Sequence, residues 1–149
     1  MEGLRKLNVS LLGEKTKIEI EVLERSYPDS TNNWDKNWIT SVVHITIPGY
    51  VAQFTCELRT DELADFADEL AVMHENLEGT AAFKHIEGAI CMKGTIDHLG
   101  RILWEAETCY PPGDGAVLQF EFNSDQSYLT SLIRQLHTIL SSFPVIEER

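Results

Sequence analysis

The 149-residue sequence lacks long apolar runs, and this absence excludes a membrane-spanning protein. No apolar stretch approaches the ~20 residues that a membrane helix needs. The first residues carry only scattered apolar side chains and no small-residue cleavage site after an apolar core, so they do not resemble a signal peptide. We therefore expect a cytoplasmic protein.

Catalytic and metal-binding signatures are also missing. Three cysteines, Cys56, Cys91 and Cys109, are too few and too widely spaced for a disulfide framework or a zinc site, and we expect buried, reduced thiols. The five histidines are scattered singly, and no phosphate-binding, dinucleotide-binding, serine-hydrolase or zinc-protease motif is present. We predict no catalytic residue, no metal site and no cofactor. An enzyme with a dispersed site stays an alternative, because a Cys and a His can meet only in the folded chain.

Basic residues are scarce, with 12 Lys and Arg against 24 Asp and Glu and a net charge of −12. Recognition of phosphate needs Lys and Arg, so we predict no nucleic-acid partner and no contact with an anionic membrane surface. A strongly negative protein is instead suited to fast encounter with a basic partner.

The apolar pattern predicts strands first. Residues 17–23 alternate between apolar and acidic side chains, which is typical of a half-buried strand. The runs 39–47 and 50–58 flank a Pro48-Gly49 turn and predict a hairpin. Residues 80–123 contain four more alternating runs that are separated by short turns, which favours antiparallel pairing.

Two segments have helical spacing. Apolar residues recur at that spacing from Leu63 to Leu77, after Thr60 as a candidate N-cap. A broader apolar stripe runs from Tyr128 to Phe143. The sequence therefore predicts an α+β fold: a mostly antiparallel, curved β-sheet of about seven strands packed with two amphipathic helices. We expect one globular domain over 1–149, with 1–16 and 144–149 at its periphery.

The first predicted helix carries an unbalanced charge. It has seven acidic residues and no Lys or Arg between Thr60 and Glu78. Asp61, Asp65 and Glu69 form a row of like charges at i, i+4 and i+8, which costs an isolated helix roughly 0.2–0.5 kcal/mol per pair. The row is either a solvated face or a docking surface for a basic protein.

The stretch NNWDKNWI places Trp34 and Trp38 among amides and charges just before the predicted hairpin. Trp38 leads directly into a strand, so we expect it to be anchored there. Trp34 lies in a polar loop, where it is either structural or an exposed binding residue; an exposed Trp beside Asp35 is typical of a binding hot spot. The candidate partner-binding residues are Trp34, Asp35, Asp61, Asp65, Asp68 and Glu69.

Four segments resemble a family of small bacterial proteins. DKNWITSVVHI, LRTDELADFADEL, PPGDGAVLQFEF and DQSYLTSLIRQLHTIL, in this order, are similar to segments of the WapI-like immunity proteins. The resemblance covers about residues 17–143. It implies a protein without enzymatic activity that binds and occludes the toxic domain of a bacterial toxin, which for WapI itself is a tRNA-cutting nuclease.

Two further possibilities remain open on the sequence alone. A curved sheet under two helices can enclose a pocket, so a small-molecule-binding module of unknown ligand is the alternative function. The outer face of the last helix is polar but nearly uncharged, which favours packing against a second copy of the chain as a homodimer. The partner predicted first is a basic toxin domain, possibly a nuclease.

Overall fold

Alternating apolar and polar side chains form eight strands in the computed structural model, which describes residues 7–147. The first four strands are β1 Leu7–Gly13, β2 Thr16–Arg25, β3 Trp38–Ile47 and β4 Tyr50–Arg59. The other four are β5 Gly79–Lys84, β6 Ile90–Ile96, β7 Arg101–Tyr110 and β8 Ala116–Asp125. The helices are α1 Asn33–Lys36, α2 Thr60–Asn76 and α3 Leu129–Ser142, and a 3-10 turn at Gln126–Tyr128 precedes α3.

The strands form two antiparallel sheets, in the orders β1-β2-β3-β4 and β5-β6-β7-β8. Neighbours in sequence are neighbours in each sheet, as short connections require. The α+β class and the antiparallel pairing are thus confirmed, although eight strands in two sheets replace about seven in one. The division falls at α2, which follows β4 without a gap and carries the chain away from the first sheet.

The segment 1–16, which we expected at the periphery, contains a core strand. Residues 7–13 pair with β2 along their whole length, and Val9 and Leu11 are only 5% and 4% exposed. Residues 1–6 lie outside the described part of the chain. The sequence did not predict this strand because β1 buries its apolar face only against β2 and α3, which lie beside it in the fold.

The two sheets meet where the β1–β2 turn reaches β8. The Glu14 backbone N–H donates to the Asn123 carbonyl at 3.0 Å, and the Ser124 hydroxyl donates to the Leu12 carbonyl at 2.7 Å. A Cβ on Gly13 would lie 2.4 Å from the Phe122 ring, so this approach requires glycine. The contact holds the edges of the two meanders together.

The core is filled from both sheets and from both long helices. Their side chains surround a residual void of about 10 Å³, which barely reaches the size of one water molecule.

Burial raises the pKa of the Cys56 thiol to about 12, and Glu87, Glu62 and Glu57 add to that effect. Cys56 is therefore a protonated core thiol at neutral pH, whereas Cys91 and Cys109 are half-buried, short of the burial predicted for all three.

Candidate partner-binding site

The six predicted partner-binding residues lie on two helices. Trp34 and Asp35 belong to α1, and Asp61, Asp65, Asp68 and Glu69 belong to the first half of α2. The α1 helix is a single turn, and the backbone N–H of Trp34 in that turn donates to the Asn32 side chain at 2.8 Å. The polar loop in which Trp34 was predicted thus ends in a short capped helix that fixes its backbone.

Arg59, at the end of β4, joins the two helices. Its guanidinium carbon lies 3.5 Å from the centroid of the Trp34 ring and 4.8 Å from that of the Trp38 ring. Its Nε donates to Asp61 Oδ1 at 3.0 Å, and its Nη1 donates to the Trp34 carbonyl at 3.1 Å. The Arg59 side chain is only 1% exposed, whereas Trp34 remains 36% exposed. The structure therefore brings Trp34 and Asp61 together on one buried cation.

Asn37 ties the same region to the start of α2 and to the C-terminal segment. Its carbonyl accepts the Thr60 N–H at 3.0 Å, and its side-chain oxygen accepts the Thr60 hydroxyl at 2.9 Å. The Asn37 amide also exchanges two hydrogen bonds of 2.8 Å with the backbone of Ile146. Thr60 is thus buried against Asn37 rather than acting as the predicted N-cap, and the segment 144–147 is held by side-chain hydrogen bonds.

Glu62 is an internal residue, although it belongs to the acidic run. One of its oxygens accepts the Arg59 N–H at 3.2 Å and faces His85 Nδ1 at 2.9 Å, and the other accepts the Ile86 N–H at 2.6 Å. This carboxylate closes the first turn of α2 and holds the β5–β6 loop. Glu62 is therefore not available to a partner.

The four predicted acids of α2 divide into two kinds. Asp61 is paired with Arg59, and Glu69 accepts the Ala82 N–H of β5 at 3.0 Å. Asp65 and Asp68 are exposed, and within residues 7–147 neither has an ion pair or a side-chain hydrogen bond. Desolvation raises the pKa of Asp65, and the charges of Asp61, Asp68, Glu69 and Glu62 raise it further. The surface is therefore already electrostatically crowded at Asp65.

Asp35 belongs to a second acidic feature, an open cleft of about 660 Å³ beside α1. We call it the acidic cleft; its chemically distinctive lining residues are Tyr27, Asp29, Asp35, Trp38, Glu57 and Glu87. The Tyr27 hydroxyl donates to Glu57 Oε1 at 3.1 Å. This hydrogen bond and the charge of Glu57 raise the pKa of Tyr27, with smaller contributions from desolvation, Asp35 and Glu87.

Sequence reasoning missed Arg59, His85, Glu57 and Glu87. One signal was available for Arg59, which is the only Lys or Arg between Lys36 and Lys84. Glu57 lies on β4, whereas His85 and Glu87 lie in the β5–β6 loop, and no local pattern connects the loop to β4. Within residues 7–147, no three His, Cys, Asp or Glu side chains are grouped to hold a metal ion. No helix of this part of the chain is long and apolar enough to cross a membrane.

Together, the fold and this site define an acidic α+β protein with a candidate protein-binding surface. A model of the immunity protein WapI-like family matches residues 10–144, and the chain belongs to this family. No curated protein matches the sequence.

Three solved structures resemble the fold at 11% sequence identity. The structure of Trypanosoma bruciei MRP1/MRP2 aligns with a TM-score of 0.48, and the match covers 92% of this chain and 84% of the MRP1/MRP2 chain. The plant transcriptional regulator PBF-2 gives 0.48, with 95% and 90% covered. The CdiA-CT/CdiI toxin and immunity complex from Enterobacter cloacae gives 0.40, with 67% and 88% covered.

Proposed function

We propose that this protein is a non-enzymatic immunity protein of the cytoplasm that binds and occludes the toxic domain of a bacterial toxin. Membership of the WapI-like immunity family supports the role. The contact surface would consist of Trp34 and Asp35 on α1 with Asp61, Asp65, Asp68 and Glu69 on α2. We name it the α1–α2 surface.

The free carboxylates of Asp65 and Asp68 support this surface most directly. Like charges on one helix face destabilise the free protein, so a basic partner that neutralises them gains free energy that solvent does not supply. Arg59 is enclosed by Trp34 and Trp38 and forms its ion pair with Asp61. The surface therefore presents uncompensated negative charge.

A basic toxin domain is the partner that this charge favours. A nuclease must attract phosphate, so its active surface is rich in Lys and Arg. An acidic protein can occupy that surface and exclude the nucleic acid. With a net charge of −12, the protein would also associate rapidly with such a partner.

Trp34 gives the surface a rigid apolar contact. The Trp34 ring lies on the Arg59 guanidinium, and the Trp34 backbone N–H donates to the Asn32 side chain. Little conformational freedom is therefore left to lose on binding. An exposed tryptophan beside carboxylates is a frequent composition of binding hot spots.

The first test is affinity capture of the tagged protein from its own host at low and high salt, with identification of what is bound. We expect a stoichiometric basic toxin domain whose capture weakens at high salt. Recovery of no protein other than the tagged chain under conditions in which the toxin is made would contradict the proposal.

The second test compares two double variants by surface plasmon resonance on the captured toxin. Asp65→Asn with Asp68→Asn should reduce the association rate by about tenfold at low ionic strength. Glu105→Gln with Glu121→Gln is the matched control, because these residues are exposed, lie opposite each other on β7 and β8 and produce the same change in net charge. If the two double variants slowed association equally, net charge alone would explain the effect, and the α1–α2 surface would have no specific role.

The small-molecule alternative finds no support in the core. The void between the sheets and helices is about 10 Å³, whereas ligand pockets are typically about 300–1,000 Å³. A homodimer through the outer face of α3 remains a prediction. One residue of that face, Gln135, is already engaged, because its side chain accepts the Ser10 N–H at 2.8 Å.

A further inference from the structure

The acidic cleft is a second concentration of negative charge beside the α1–α2 surface, with which it shares Asp35. Among residues 7–147, its lining includes the carboxylates of Asp29, Asp35, Glu57 and Glu87 and no Lys or Arg. These acids come from the β2–α1 loop, from α1, from β4 and from the β5–β6 loop. Four separate segments thus direct negative charge into one concave space, which gives a focused potential rather than a solvated helix face.

Two aromatic side chains form fixed walls of the cleft. Tyr27 is held by its hydrogen bond to Glu57. Trp38 has the Arg59 guanidinium 4.8 Å from its ring centroid and the His85 ring 6.3 Å away in an edge-on arrangement. Aromatic rings next to carboxylates provide the surroundings in which a planar cation can stack and form hydrogen bonds at the same time.

His85 supplies an independent indication of a ligand. Its side chain is fully buried, and its Nδ1 faces Glu62 Oε1 at 2.9 Å. Its Nε2 has no hydrogen-bond partner within the described residues 7–147 and lies 3.8 Å from Glu87 Oε1. Buried polar atoms without a partner are rare and costly. The unpaired Nε2 thus lies behind Glu87, a carboxylate that lines the cleft.

We infer that the acidic cleft binds the guanidinium group of an arginine side chain, which, on the proposed function, belongs to the toxin. Guanidinium carries five N–H donors in a plane, so it can bond to more than one carboxylate and stack on an aromatic ring at the same time. An ammonium group has the charge but not the planar shape. The cleft opens to solvent beside Trp34 and Asp35, so one partner could fill it and cover the α1–α2 surface.

The test uses a small probe, so it does not require the toxin. The ¹⁵N-labelled protein is titrated at low ionic strength with N-acetyl-arginine methylamide, and the Trp38 indole N–H and the Glu87 amide are followed by NMR. Blocked citrulline has the same shape without the charge, and blocked lysine has the charge without the planar group. The cleft variant is Glu57→Gln with Glu87→Gln, and Glu105→Gln with Glu121→Gln is again the matched control.

We expect saturable shifts at Trp38 and Glu87 with arginine, weaker shifts with lysine and none with citrulline. The cleft variant should bind arginine about tenfold more weakly, because two of the four carboxylates are neutralised, while the control should bind normally. A change in the His85 Nε2 resonance should accompany saturation. Absence of any shift, equal shifts with citrulline, or shifts centred on Asp65 and Asp68 would overturn the assignment.

Failure of this inference can be separated from failure of the proposed function. A protein that captures a toxin but ignores blocked arginine has an immunity role without a guanidinium site. A protein that binds arginine in the cleft but captures no toxin has a guanidinium site without the proposed immunity role. On a toxin complex, the cleft variant should mainly raise the dissociation rate, whereas the Asp65/Asp68 variant should mainly lower the association rate.

Discussion

At the scale of single residues, the burial of Arg59 determines how the neighbouring surface is charged. An enclosed charge is costly unless it is paired, and this one is offset by the bond to Asp61 and by two tryptophan rings. Each such ring contact contributes about 0.5–2 kcal/mol, depending on exposure. Because Arg59 is paired with Asp61 and α2 itself contains no Lys or Arg, Asp65 and Asp68 are left without a neutralising cation on their helix.

Asp65 should therefore cost the folded protein some stability. Its pKa is raised by desolvation and then by the nearby acids, so the folded state holds a proton there more tightly than the unfolded chain does. The ionised carboxylate is a penalty at every pH above that raised pKa, and the penalty disappears as the pH falls through it. We predict that Asp65→Asn stabilises the free protein at neutral pH by a few tenths of a kcal/mol.

Urea unfolding at neutral pH and near pH ~3.9, the ordinary Asp value, measures this effect. The gain should be present at the higher pH and largely lost at the lower one. Asp114→Asn, in the exposed β7–β8 turn, changes the net charge equally and should give a smaller gain. Destabilisation by Asp65→Asn at neutral pH would show that the carboxylate has a structural partner.

At the scale of elements, periodicity identified the strands and helices whose apolar face is long. All seven predicted strands are present, because each repeats its inward residues within one segment. The alternation in β1 was not recognised as a strand, since it is short and its burial depends on β2 and α3. The α1 helix has four residues, too few for a helical period to appear, and forms through the local Asn32 cap.

The buried face of β1 makes a sharp prediction. Leu11 is 4% exposed and lines the central void, whereas its neighbour Leu12 is 38% exposed. Leu11→Ala should lower the free energy of unfolding by about 2–5 kcal/mol, through lost apolar burial and an enlarged void. Leu12→Ala should have a much smaller effect. Urea denaturation of the two variants measures the difference. Equal small losses in the free energy of unfolding would show that β1 is peripheral rather than part of the core.

At the scale of the whole molecule, the sequence could predict an acidic helix face but not which acids remain free. The row Asp61, Asp65 and Glu69 follows from helical spacing alone. Asp61, Glu62 and Glu69 are engaged by Arg59, His85 and the backbone of β5, and most of these partners come from elsewhere in the fold. The acidic cleft is a product of tertiary structure in the same way, since its four carboxylates lie on four segments.

The net charge of −12 leads to one further prediction, in which salt acts on stability and on binding in opposite directions. Repulsion within the free protein is screened as the Debye length falls from about 30 Å at 0.01 M to about 3 Å at 1 M salt. The thermal midpoint should therefore rise with NaCl, by roughly 2–4 °C for each kcal/mol of repulsion removed. The same screening should slow association with a basic toxin.

Calorimetry and association kinetics over one salt series measure both effects, with KCl as the control for ion-specific behaviour. A midpoint that falls with salt would mean that favourable ion pairs outweigh the repulsion, and the α1–α2 surface would then lose its electrostatic basis.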